Sequence, residues 1–164
     1  MRGGEVDIET GVIDLTTAPE MRAVPLFEDR WVGVVRDGHM LSKGTVTATR
    51  YARAEHVHVL RRGLHSTDID DAVNAAGPER PIAVIVQGFS AAIALARETD
   101  LVATVPERHT AGLRKGCTRL CLARLGSRLH ALDDLASADG WRPSAPILRG
   151  HIRSICAREA AVRR

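Results

Sequence analysis

Aromatic residues are scarce in this chain of 164 amino acids. Phe27, Trp31, Tyr51, Phe89 and Trp141 are the whole set, and lysine is nearly absent too, with only Lys43 and Lys115. No basic run is interleaved with aromatic rings, which argues against a surface for stacking nucleic-acid bases. Three cysteines, an odd number, point to free thiols and away from a disulfide framework. No apolar run approaches the roughly 20 residues that cross a bilayer, and the start MRGGEVD lacks a signal-peptide core. A cytoplasmic protein with no membrane partner is expected. GxSxG, a phosphate-binding glycine loop and HExxH are all missing, as are paired carboxylates in a defined cleft context. No catalytic residue, metal or cofactor is therefore expected.

What remains is ordinary for a globular chain, 45 % hydrophobic and 26 % charged, with length for one sizeable core or two small lobes. Charge is unevenly spread. Residues 1–106 carry eleven Lys/Arg against fifteen Asp/Glu, whereas residues 107–164 carry twelve against five. A basic tail suits anionic partners, although a solvated arginine-rich face is the commoner explanation.

The most informative segment is Ile82 to Pro106. A β-branched run, Ile82 to Val86, stops at Gln87-Gly88; an alanine-rich helical run follows to Glu98; a second apolar run, Leu101 to Val105, ends at Pro106. This pattern predicts a strand-helix-strand unit with a parallel sheet. Parallel units place the loop after each strand and the next helix start on one rim. Unpaired N–H groups and the helix dipole make that rim suitable for a small anion. The unit is suited to holding a ligand, with nothing in it suited to transforming one.

Elsewhere, Glu5 to Gly11 alternates and reads as a strand followed by a turn, and Asp14 to Glu20 reads as loop. Arg22 to Arg36 reads as two strand-like runs, Thr47 to Arg53 as a short helix and Glu55 to Leu60 as a strand. Ser66-Thr67-Asp68 supplies cap residues for a helix carrying Ile69, Ala72, Val73 and Ala76, which Gly77-Pro78 stops. A further helix is expected from Pro106 to Leu113. After Gly116 the text contains neither a clean strand nor an amphipathic face until Leu148 to Ala161, which is helical in pattern.

Taken in order, GGEVDIETG, PLFEDRWVGVVRDGHML, RYARAEHVHV, the Asp70-Asp71 helix ending AAG, and VIVQGFSAAIALARETDLVATVPER resemble the effector-binding domain of LysR-type transcriptional regulators. Order and spacing over residues 3–115 make the likeness specific. It implies an α/β, periplasmic-binding-protein-like fold of two lobes, one largely complete and the other missing its first elements. It also implies a small organic acid or aromatic effector in the interlobe cleft, and assembly as homodimers or as heterodimers with intact regulators. DNA would be bound only through a helix-turn-helix domain, for which nothing before residue 48 reads as a groove-binding helix. Three segments follow: a core over 3–115, a divergent segment over 116–147, and a C-terminal helix of the same domain over 148–164. Back-translating Leu135 to Ile147 and shifting the frame yields the family's Trp-His-Pro-Arg and Asp-Pro-Ala-His runs, so a compensated pair of frameshifts is the hypothesis for this segment, and the gene sequence tests it.

In such a two-lobed arrangement the ligand contacts lie past strand ends and at helix starts. The candidates are Thr10 and Gly11 after the first strand, Gln87, Gly88, Phe89 and Ser90 after another, Thr104 ending the next, and His65, Ser66 and Thr67 at the predicted helix cap. Ser66 and Ser90 offer hydroxyls to a carboxylate and Phe89 an aromatic wall; the plainer alternative is that the serines only cap helices and Phe89 packs in the core. His56 and His58 share a strand face at a spacing a metal can use, yet without a third ligand a solvent-facing pair is the commoner arrangement. Cys117 and Cys121 would form a redox or metal pair only if helical. Arg61-Arg62 offers charge for an anion or a solvated turn, and Asp68, Asp70 and Asp71 fit the first turn of a helix through its dipole. A ligand-sensing domain is the leading reading. The alternative is a regulator fragment acting only as a dimerisation partner.

Overall fold

The computed structural model describes residues 8–12, 21–60, 70, 80–122, 128–137 and 145–162. In chain order its elements are β1 (Ile8–Val12), β2 (Met21–Arg36), α1 (Ala48–Ala52), β3 (His56–Val59), β4 (Ile82–Val86), α2 (Phe89–Glu98), β5 (Val102–Pro106), β6 (Cys117–Cys121), β7 (Arg128–Ser137) and α3 (Ala145–Val162). Short 3-10 turns stand at Met40–Ser42 and Ala111–Leu113. The chain divides into two compact units, one of Met1–Asp29 with His130–Arg164 and one of Arg30–Leu129.

In the first unit β1 pairs antiparallel with β7, from Ile8 opposite Ala136 to Val12 opposite Leu132, and α3 supplies its helix.

The Arg30–Leu129 unit holds a sheet in the order β6-β2-β5-β3-β4. β3 runs parallel to both β4 and β5, while β2 runs antiparallel to β5 and β6. Strand alternation sends successive side chains to opposite faces. Trp31, Val35 and Val102 join Tyr51 of α1 and Leu120 on one face. Val32, Val34, Val57, Ala103 and Val105 meet Ala92, Ile93 and Ala96 of α2 on the other. The three α2 residues fall at i, i+1 and i+4, one stripe of a helix, which is why this alanine-rich run lies flat on the sheet. At Gly33 the packing leaves no room for a side chain: a Cβ there would sit 3.1 Å from Leu120 Cβ and 3.2 Å from Tyr51 Cε2. His39 fastens the turn after β2 to the loop that follows α2. Its Nδ1 accepts the Leu41 N–H at 3.0 Å, so Nε2 carries the proton and donates to the Asp100 carbonyl at 3.1 Å.

The strand-helix-strand unit and its parallel sheet are present as the pattern predicted, as are the short helix after Thr47, β3 and the C-terminal helix. Four expectations are corrected. The first strand extends through Gly11 to Val12, with both residues paired to β7. Arg22 to Arg36 is one long strand and not two runs, because an extended backbone accommodates the fixed φ of Pro25. Pro106 to Leu113 is a turn and a 3-10 segment in place of a helix, with Thr110 Oγ1 closing on the Pro106 carbonyl at 2.5 Å. After Gly116 there are two strands, β6 and β7, whose identity comes from partners far away in sequence. The expected loop over 14–20 and the helix over 68–76, apart from helical Asp70, lie outside the described residues.

Candidate functional site

Because β3, β4 and β5 are parallel, Val59, Val86 and Pro106 end on one rim of the sheet. α2 begins there, two residues after β4. Its N-cap is Gly88, extended at φ −153° and ψ 152°, and no side chain caps the first turn. Gly88 thus supplies no acceptor to the first N–H groups of this 10-residue helix, and the dipole favours negative charge there. Phe89 opens the helix between two other rings. It lies edge-on to Trp31 at 6.2 Å between centroids and edge-on to His109 at 5.9 Å. Trp31 stands on β2 opposite Pro106, so all three rings gather where β5 ends. Just beyond, the Glu107 carboxylate pairs with Arg30 and Arg119, and Arg114 donates to the Glu107 carbonyl at 2.8 Å. Burial alone would raise the Glu107 carboxyl, but the two guanidiniums hold it below the usual carboxylate range.

A second polar group occupies the Tyr51 face of the same sheet. The Tyr51 hydroxyl and Thr104 Oγ1 are 2.6 Å apart, and Arg80 Nη1 donates to the same Thr104 oxygen at 3.4 Å. Arg80 is ion-paired with Asp70, and the two side chains are only 7 % and 11 % exposed. His56 Nε2 donates to the Tyr51 carbonyl at 2.8 Å, its ring edge-on to Tyr51 at 4.8 Å. Burial drives the His56 pKa down to about 4, with the Tyr51 bond resisting and the Arg80 charge assisting. Burial likewise lowers His58, again assisted by Arg80, and raises the Tyr51 phenol against its bonds to Thr104 and Arg80. Arg80 itself is pushed down by burial.

The predicted site residues fall into separate places. Gln87, Gly88, Phe89 and Ser90 are together at the rim, with Gln87 and Ser90 exposed. Ser90 is in the first turn and is not the cap, and Phe89 packs against both core clusters. Thr104 does not end its strand; it is the middle residue of β5, committed to Tyr51 and Arg80. Thr10 and Gly11 do not follow the first strand but lie within β1, opposite Asp134 and Asp133 in the other unit. His65, Ser66 and Thr67 lie outside the described residues, as do Arg61 and Arg62. His56 is fully buried and not solvent-facing. Cys117 and Cys121 are on a strand, about 13 Å apart along one face, and both are free thiols. Among the described residues no three His, Cys, Asp or Glu side chains are grouped to hold a metal, and no helix is long and apolar enough to cross a membrane.

Sequence reasoning missed Trp31, His109 and the Arg80–Asp70 pair. Asp70 faces a buried cation, which the helix dipole alone did not anticipate. Its only textual signal was an arginine beside Pro81 at a strand start. A groove of about 350 Å³ lies elsewhere in the unit, between Leu41–Val46 and Thr118–Cys121; of the residues singled out from sequence only Cys121 lines it, and none of the predicted effector contacts does.

The family model for the LysR substrate binding domain matches residues 1–131. The chain belongs to this family. Two curated relatives are HTH-type transcriptional activators: NagR of Ralstonia sp., 31 % identical over 108 residues, and NahR of Pseudomonas putida, 29 % identical over 109. These alignments cover 62 % and 66 % of this chain but only 36 % of each relative's length. Among solved structures, a probable transcriptional regulator from Pseudomonas aeruginosa superposes with a TM-score of 0.77 at 22 % identity, covering 93 % of this chain and 51 % of that one. The cofactor-binding domain of the Cbl transcriptional regulator superposes at 0.73 and 20 % identity, covering 94 % and 67 %. At these identities the structures establish the fold, which is the periplasmic-binding-protein-like one of LysR regulatory domains. Within that family this chain is an effector-binding domain.

Proposed function

We propose that this LysR-family domain senses a small organic acid or aromatic carboxylate, received at the rim where β4 ends and α2 begins. The uncapped start of α2 carries this reading: Gly88 contributes no side chain, so its first-turn N–H groups are available to a carboxylate. Phe89 offers a ring beside that start, and Ser90 an exposed hydroxyl. Binding there biases the equilibrium among arrangements of the whole regulator, and DNA contact follows through a helix-turn-helix domain of the same or a partner chain. The domain's part in this is recognition without chemistry.

Amide NMR with a panel of carboxylate metabolites tests the reading. Saturable shifts at Gly88, Phe89 and Ser90 are expected, together with a melting midpoint that rises with ligand concentration by mass action. A midpoint unmoved across the panel, with shifts confined to other residues, sinks the assignment and leaves self-association as the domain's role.

A further inference from the structure

Trp31 presents an anomaly that the fold does not resolve. The residue is 8 % exposed, and its indole Nε1–H is buried with no acceptor among the described residues. A buried donor without a partner costs about 1–3 kcal/mol, and such groups persist where something supplies the missing acceptor. The position is not that of an ordinary core tryptophan. Trp31 lies opposite Pro106, the last residue of β5, and its ring meets Phe89, the first residue of α2. The ring that bears the unsatisfied donor therefore lies against the first residue of α2, in a cluster of three rings closed by His109.

We infer that the Trp31 indole N–H is a ligand-reading group of the rim site, donating to an acceptor oxygen of the bound carboxylate. The inference rests on the reading of the rim given above and adds a residue that discriminates among its ligands. The two donors are complementary in kind. Backbone N–H groups of α2 attract an anion of any shape, whereas one indole N–H demands an oxygen at one place and rejects a ligand that leaves it unpaired. Phe89 lies edge-on to the indole at 6.2 Å between centroids, so the aromatic wall and the donor adjoin. The indole is itself buried, with Pro106 across from Trp31 in the sheet, and a hydrogen bond formed in such low-dielectric surroundings is strengthened.

The chain contains two tryptophans, Trp31 and Trp141, so its indole N–H resonances are separable with a Trp141→Phe variant. In a benzoate titration of the full chain, the Trp31 indole resonance is expected to shift in step with the Gly88–Ser90 amides, with one common Kd. Trp31→Phe, which keeps a ring but removes the donor, is expected to weaken benzoate binding about tenfold or more. Since the wild-type titration needs no variant, misfolding of Trp31→Phe does not obscure the result. If the Gly88–Ser90 amides titrate while the indole resonance stays still, the role of Trp31 is overturned and the rim reading stands. If neither responds to benzoate, both fall.

Discussion

Both faces of the Arg30–Leu129 sheet carry an apolar cluster, but only the Tyr51 face adds a buried polar network to it. Under α2 the packing is hydrocarbon throughout: Val32, Val34, Val57, Ala103 and Val105 against Ala92, Ile93 and Ala96. Across the sheet, Tyr51, His56, Thr104, Arg80 and Asp70 are joined by hydrogen bonds and an ion pair. The apolar face tolerates imperfect fits because dispersion and burial are non-directional. The polar face is directional, since its members compensate one another's burial through hydrogen bonds and an ion pair. The apolar face carries α2 and hence the rim, and the polar face fixes the strands on which that rim is aligned.

Arg80 is where this contrast breaks most severely. Arg80→Ala removes the guanidinium that pairs with the buried Asp70 carboxylate, and loss of one partner of a buried pair typically costs about 3–5 kcal/mol. Urea unfolding is expected to show that loss, or no folded baseline at all; a loss under about 1 kcal/mol would mean that water reaches Asp70 freely. Next in size is Ile93→Ala on the other face, expected to cost about 3 kcal/mol through lost burial and the cavity it leaves. The two sites share no partner, so the double variant should be additive within about 0.5 kcal/mol. Strong coupling would show that the faces are not independent.

Those faces were unequally legible in the sequence. The α2 face was readable from local pattern alone, since β-branched runs broken at Gln87-Gly88 and stopped at Pro106 leave few alternatives. The polar face was not. Tyr51 and Thr104 are 53 positions apart, and nothing near Thr104 marks it as a hydroxyl pointed at a tyrosine rather than at solvent. His56 and His58 share a face, as their spacing required, but whether that face is wet or dry depends on α1 and Arg80. β6 escaped notice for a related reason: CTRLC is neither strongly alternating nor apolar, and it is a strand because β2 offers it an edge. At the rim, the Gln87-to-Ser90 cluster was legible as a strand end followed by a helix start. Trp31 was hidden inside an apolar run that reads as plain core.

Acid sharpens the comparison because the buried His56 belongs to the Tyr51 face. Folded His56 has a pKa of about 4 against an ordinary 6.5, so below about pH 6.5 the unfolded chain binds a proton that the folded chain refuses. Stability is therefore full above that point and falls as pH drops toward 4, by about 2 kcal/mol between pH 7 and pH 5. His58 acts in the same direction. Glu107, held low by Arg30 and Arg119, behaves as a carboxylate should and gives up its contribution only below about pH 4.5. Urea midpoints at the two pH values check this, and His56→Phe is expected to flatten most of the slope. Equal stability of the wild type at both would mean that His56 is not held neutral.

The smallest expected effect isolates a single bond of the network. Tyr51→Phe keeps the buried ring and its edge-on contact with His56, and removes only the hydroxyl that meets Thr104 Oγ1 at 2.6 Å. Arg80 still donates to that oxygen, so Thr104 loses one partner of two, and the cost is expected at about 1 kcal/mol. Thr104→Val removes the other end. If the bond matters as a pair, the double-mutant cycle returns a coupling of about 1 kcal/mol, whereas the cycle linking Tyr51→Phe with Ile93→Ala across the sheet returns none. A Tyr51→Phe variant more stable than the wild type would reverse the interpretation: the hydroxyl would then cost more to bury than its bond returns, and the polar face would owe its persistence to what it positions.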